Sequence, residues 1–139
     1  MKSRAITTLF CITLAALLSC KKQRGEDTAA LVGNWELRKN QSGMTPTITY
    51  APGNGNIIQF TTTTYAFYSG GRLLQSGSYK LLKDTKDMAG ECLDVNYYRL
   101  VYDNNLTTSK RLQLTAANKL VLLSGCFALD SGVYLEYEK

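Results

Sequence analysis

Histidine is absent from the 139 residues of this chain. That removes the side chain most used as general base, proton shuttle and metal ligand. Serine and cysteine nucleophiles lose their usual activating partner, and no Gly-x-Ser-x-Gly elbow is present. Charge of one sign is also scarce. The 16 Lys and Arg stand against 11 Asp and Glu, without the clustered basic stripe that a nucleic-acid surface needs. Gly53-x-Gly55 and Gly70-Gly71 do not lead into a helix, so they read as turns rather than phosphate loops. Paired carboxylates, Glu91 with Asp94 and Glu136 with Glu138, are the remaining catalytic option. In a strand Glu136 and Glu138 share the face opposite Leu135 and Tyr137, which makes them solvent-facing charges. The composition points away from an enzyme, a metal site or a nucleic-acid partner, and no cofactor is expected.

A long hydrophobic run is missing as well. The first apolar run, Ala5 to Leu18, has 14 residues, short of the ~20 that a membrane-spanning helix needs. It follows Lys2 and Arg4 and ends in Leu17-Leu18-Ser19-Cys20, a leader-like layout. The pattern resembles the lipobox of bacterial lipoproteins. That resemblance implies a signal peptide over residues 1–19 and a mature chain attached to the bilayer through an acylated, palmitate-type anchor on Cys20. Lys2 and Arg4 would leave with the leader, lowering the formal net charge from +5 to +3. Lys21, Lys22 and Arg24 then sit behind the anchor, either against anionic headgroups or in solvent. Residues 20–29 read as the lipidated cysteine and a flexible tether, and residues 30–139 as one domain. The expected location is the cell envelope, on the outer membrane facing the periplasm, because Lys21-Lys22 is not an acidic surface-export signal.

Cysteine is sparse once the leader is set aside. Of four cysteines, Cys11 lies in the leader and Cys20 carries lipid. Cys92 and Cys126 remain as an even pair in a compartment that permits disulfides, with two free buried thiols as the alternative. A bridge closing this loop would stabilise by ~3–4 kcal/mol on chain entropy, less any strain.

From Ala30 onward the hydrophobic period is two. Trp35 and Leu37 alternate with Glu36 and Arg38; Val133, Leu135 and Tyr137 alternate with Tyr134, Glu136 and Glu138. Ile57 to Tyr68, Arg72 to Leu82, Cys92 to Tyr102, Ser109 to Thr115 and Lys119 to Leu123 are further runs of strand formers. Pro52-Gly53-Asn54-Gly55, Ser69-Gly70-Gly71, Asp103-Asn104-Asn105, Ala117-Asn118 and Asp130-Ser131-Gly132 supply turn chemistry between them. Short strands closed by turns describe an antiparallel sandwich or barrel. Asp27 as a cap before Ala29-Ala30-Leu31 is compatible with a short helix around Thr28 to Leu31.

Leu31-Val32-Gly33-Asn34-Trp35-Glu36-Leu37 places a Gly-x-Trp at the start of the first strand. Ile58-Gln59-Phe60 through Tyr65, Gly70-Gly71-Arg72, Ser76-Gly77-Ser78-Tyr79 and the closing Val133 to Tyr137 follow in order. With the lipobox in front, these pieces resemble the lipocalins and, more closely, small lipocalin-like lipoproteins of Gram-negative bacteria. The resemblance implies an all-β, small antiparallel up-and-down β-barrel in which Gly33 gives the strand a tight start and Trp35 closes one end. It implies a non-enzymatic role, the binding of a small apolar or amphipathic ligand. A filled barrel would instead suit a protein-interaction module (an envelope inhibitor or assembly factor) or a carbohydrate-binding accessory protein. Lipocalins commonly lay an arginine from the last strand over the tryptophan. Val133 to Glu138 contains none, so that packing is either missing or supplied by Arg99 or Arg111.

Nine tyrosines offer amphipathic lining for such a barrel. Alternation puts Tyr97 and Arg99 on one strand face with Val95 and Val101, and Tyr98 and Tyr102 on the other with Leu100. An enclosed Arg99 would need a ligand carboxylate, an internal acid or solvent at the barrel mouth. Tyr65, Phe67 and Tyr79 suit either core filling or pocket lining. The candidate ligand set is Tyr65, Phe67, Tyr79, Tyr97 and Arg99.

Overall fold

The computed structural model describes residues 28–83, 98–116, 118–125 and 132–139. The expectations for Cys20, for the Cys92–Cys126 pair and for Tyr97 lie outside the described residues. Residues 28–31 form one helical turn, and Leu31–Lys139 is a compact unit.

Nine strands are present among the described residues: β1 (Gly33–Ser42), β2 (Ile48–Thr49), β3 (Ile57–Phe60), β4 (Thr64–Ser69), β5 (Arg72–Lys83), β6 (Tyr98–Tyr102), β7 (Asn105–Ala116), β8 (Lys119–Ser124) and β9 (Val133–Glu138). From β3 onward each pairs antiparallel with the next, β1 pairs with β3, and β9 returns to β1. The result is a closed eight-stranded up-and-down barrel of the small lipocalin-like kind, with β2 as a two-residue flap beside β1. Closure leaves no free edge where the ladder is complete.

Period-two alternation decides what fills it. Trp35, Ile58, Phe60, Tyr65, Tyr79, Leu100, Tyr102, Leu112, Leu120, Leu122 and Tyr137 are buried in a single cluster with Leu31 and Leu37. A bulge between Leu37 and Lys39 shifts the β1–β9 register and turns Arg38 toward Glu36 and Glu138. The β6–β7 turn is a two-residue hairpin in which Asp103 (φ 49°) and Asn104 (φ 58°) both adopt positive φ, the conformation that a tight right-twisted hairpin requires.

Two expectations need correction. The Ile57 to Tyr68 run is not one strand but two, β3 and β4, reversing at Thr61–Thr63. Strand-forming threonines make that turn because the Thr61 hydroxyl accepts from the Thr63 and Thr64 backbone N–H groups (3.3 and 2.9 Å), a local bond that competes with the ladder. Glu136 is not solvent-facing, being only 6% exposed. It lies on the outer wall beneath Lys39 and Lys119 (3.3 and 3.2 Å) and accepts from the Tyr134 hydroxyl (2.8 Å). Burial alone would raise its pKa, but the bonds from Tyr134, Lys119 and Lys39 outweigh it and hold the carboxyl below its ordinary value.

Candidate functional site

The ends of the barrel are chemically different. At one end, where β1 begins and β9 finishes, Trp35 is fully buried. Its indole N–H donates to the Leu31 carbonyl at 2.6 Å, so the helical turn supplies the acceptor that a buried indole needs. The Lys139 ammonium sits 4.7 Å from the ring centroid, within cation–π range. The cation over the tryptophan is therefore Lys139, not Arg99 or Arg111. Gly33 has φ +137°, and a Cβ there would meet the Lys139 side chain at 2.8 Å. The glycine of the Gly-x-Trp pair clears the path by which the lysine stem reaches the indole.

At the other end the barrel opens into a recess of about 320 Å³. Its walls are Leu37, Ile58, Phe67, Gln75 and Tyr137 from the strands, with Tyr50 and Asn56 from the segment linking β2 to β3. Ile57, Tyr68 and Leu74 complete the rim. None of these ten residues carries a formal charge.

The 50–56 segment is fixed against β1 by Glu36. Its carboxylate accepts from the Gly53 and Gly55 backbone N–H groups (3.0 and 3.1 Å) and from Arg38 (2.6 Å). The Gly53 bond, then Arg38 and Gly55, hold its pKa down to about 2. Asn54 donates to the Leu37 carbonyl at 3.0 Å. Asn56 accepts from the Ser69 hydroxyl and the Gly70 N–H (3.0 and 3.3 Å), tying the segment to the β4–β5 hairpin as well. Gly55 belongs here for a steric reason: a Cβ on it would lie 2.6 Å from the Gly71 nitrogen, which donates to the Gly55 carbonyl.

Behind Phe67 the core is aromatic. Tyr65 meets Phe67 and Tyr102 edge-on at 5.1 and 4.7 Å, and Phe67 lies 5.5 Å from Tyr102. The Tyr65 hydroxyl is satisfied, donating to Asp103 (2.8 Å) and accepting from Gln75 (2.7 Å). Among the described residues the Tyr102 hydroxyl is buried without a hydrogen-bond partner. Burial, then the proximity of Tyr137 and Tyr65, pushes the Tyr102 pKa far above the ordinary phenol value.

Of the expected ligand residues, Phe67 lines the recess. Tyr65 stands behind it as core. Tyr79 is corrected to a structural role, because its hydroxyl donates to the Thr61 carbonyl (2.8 Å) and its ring packs on Phe60. Arg99 is corrected to the outer face: Tyr98, Leu100 and Tyr102 take the inward positions of β6, and Arg99 donates to the Ser109 hydroxyl at 3.2 Å. Leu37, Tyr50, Asn56, Gln75 and Tyr137 were not singled out as lining. Tyr137 was legible as an inward residue of the last strand, whereas Tyr50 and Asn56 sit in a segment whose fold depends on Glu36.

A second hollow, about 380 Å³, lies on the barrel wall along Gln59, Thr61, Thr64, Ala66 and Ser76. Among the described residues no group of three or more Asp, Glu, Cys or His could hold a metal. The chain matches no family model, no curated protein and no solved structure.

Proposed function

We propose that this protein is a non-enzymatic, lipid-anchored member of the lipocalin-like lipoproteins that holds a small apolar or amphipathic ligand at the mouth of its barrel. The observation that carries the reading is the mouth recess, about 320 Å³ and walled by Leu37, Ile58, Phe67 and Tyr137. That volume and lining fall within the range of small-molecule sites. Anchoring through Cys20 at the periplasmic face of the outer membrane rests on Leu17-Leu18-Ser19-Cys20. It would place the barrel where apolar metabolites and lipids are within reach.

Binding is tested with N-phenyl-1-naphthylamine, an uncharged probe that brightens in apolar surroundings. Saturable brightening is expected, and Leu74→Glu should abolish it. Leu74 lies on the recess rim yet is 59% exposed, so the change introduces charge without emptying the core. Equal binding by both proteins would remove the recess from consideration. For the anchor, Cys20→Ala should move the protein out of the membrane fraction; unchanged detergent partitioning would contradict it.

A second reading follows from a separate observation. Met44, Ile48, Leu73, Leu74 and Leu106 are large exposed apolar side chains, all on or beside connections at the mouth end. Such a rim suits a protein-interaction module, and an absence of small-molecule binding combined with loss of a partner in rim variants would favour it.

A further inference from the structure

Resting on the ligand-binding reading, we infer that the recess selects an uncharged amphiphile that enters with its hydrogen-bonding end first, toward the hydroxyls of Tyr137 and Tyr102. Three observations converge. The ten lining residues include no Asp, Glu, Lys or Arg, so an ionised head group would be desolvated there without a counter-charge. The Tyr102 hydroxyl is buried and has no partner among the described residues, although buried polar groups are almost always hydrogen-bonded. Tyr137 lines the recess and, after burial, is the larger of the two neighbouring phenol influences that raise the Tyr102 pKa. Tyr65, by contrast, has both roles of its hydroxyl filled by Asp103 and Gln75.

A phenol both donates and accepts, so an alcohol, carbonyl or amide on the ligand can be matched. Burial raises the pKa of both phenols above the ordinary value, so both are protonated donors at neutral pH. The aliphatic or aromatic body then lies against Leu37, Ile58 and Phe67 and leaves past Leu74 at the rim. The inward-facing cation nearest in kind is Lys110, which stands opposite Leu100 in the β6–β7 ladder but does not line the recess.

The test is competition against bound N-phenyl-1-naphthylamine at pH 8 by decanol and by decanoate, which share a chain and differ in the head. Decanol is expected to displace the probe at least tenfold more effectively. Tyr137→Phe and Tyr102→Phe should each weaken decanol five- to tenfold more than they weaken the probe, whose own affinity is measured in each variant. The probe serves as the internal check on site integrity, and near-UV circular dichroism confirms that the Tyr102 variant keeps its core. Failure of the probe to bind the unmodified protein would remove the ligand-binding reading and this inference together. Probe binding with equal or better displacement by decanoate would overturn the inference alone and point to Lys110. Probe binding with decanol affinity unchanged in both phenylalanine variants would also overturn it.

Discussion

The Trp35 end and the Phe67 end of the barrel are made by the same strands and use similar aromatic side chains, yet they have opposite hydrogen-bond balances. Around Trp35 every demand is met: Leu31 accepts from the indole, Lys139 covers its face, and Gly33 makes room for that lysine. Around Phe67 a recess remains, a neighbouring phenol lacks a partner among the described residues, and one wall is a segment held by hydrogen bonds to Glu36. A satisfied end stabilises the fold. An end with unspent hydrogen-bonding capacity beside an apolar wall is where a ligand gains most.

The largest expected effect lies at the satisfied end. Trp35→Ala should lower unfolding free energy by ~3–5 kcal/mol, a large share of the ~5–15 kcal/mol typical of a domain. Urea denaturation measures it, and the fraction still folded should bind probe normally. A loss below ~1 kcal/mol would erase the contrast between the ends.

Phe67→Ala sharpens the comparison from the other side. Phe67 is only partly buried at the core's edge, so about 1–2 kcal/mol should be lost. Probe affinity should fall more than tenfold, the reverse of the Trp35 pattern. Fluorescence titration alongside denaturation separates the two quantities.

Lys139→Met keeps the stem over Gly33 and removes the charge. Loss of the cation–π contact should lower stability by ~0.5–1 kcal/mol, with no effect on probe binding. A change in binding without one in stability would show that the two ends are coupled.

The smallest effect is visible in pH dependence rather than at neutral pH. The Glu36 carboxyl is held at about 2 in the folded protein against an ordinary 4.5. A depressed carboxylate pKa stabilises above the unfolded value, and that contribution is lost as pH falls from about 4.5 toward about 2. Glu36 is solvent-accessible, so the gain is screened. Thermal midpoints measured from pH 6 down to pH 2 should fall less steeply for Glu36→Gln than for the unmodified protein across that window. Parallel curves would release the 50–56 segment from Glu36 control.

The barrel was legible because period-two alternation and turn residues are local signals. Trp35 with Leu37, and Leu135 with Tyr137, point inward as the pattern says. The Thr61–Thr63 reversal was hidden because threonine is both a strand former and a turn maker, and which role it takes depends on the β3–β4 pairing. Arg99 was misplaced because Val101 beside it is apolar; that valine is buried on the outer face, so hydrophobicity alone did not identify the interior. Lys139 could not be assigned to Trp35 from spacing, since the contact spans the full barrel closure. The recess depends on how Tyr50 and Asn56 return to β1, and that is set by a carboxylate on a different strand.

The central claim is that the mouth, not the Trp35 end, is the ligand site. Titrating isotopically labelled protein with decanol while following backbone and side-chain NMR signals tests it directly. Saturable shifts at Leu37, Ile58, Phe67, Gln75 and Tyr137, with the Trp35 indole N–H signal unmoved, are the predicted result. Shifts centred on Trp35 or on the outer hollow along Gln59, Thr64 and Ser76, or no saturable shift at all, would contradict the account.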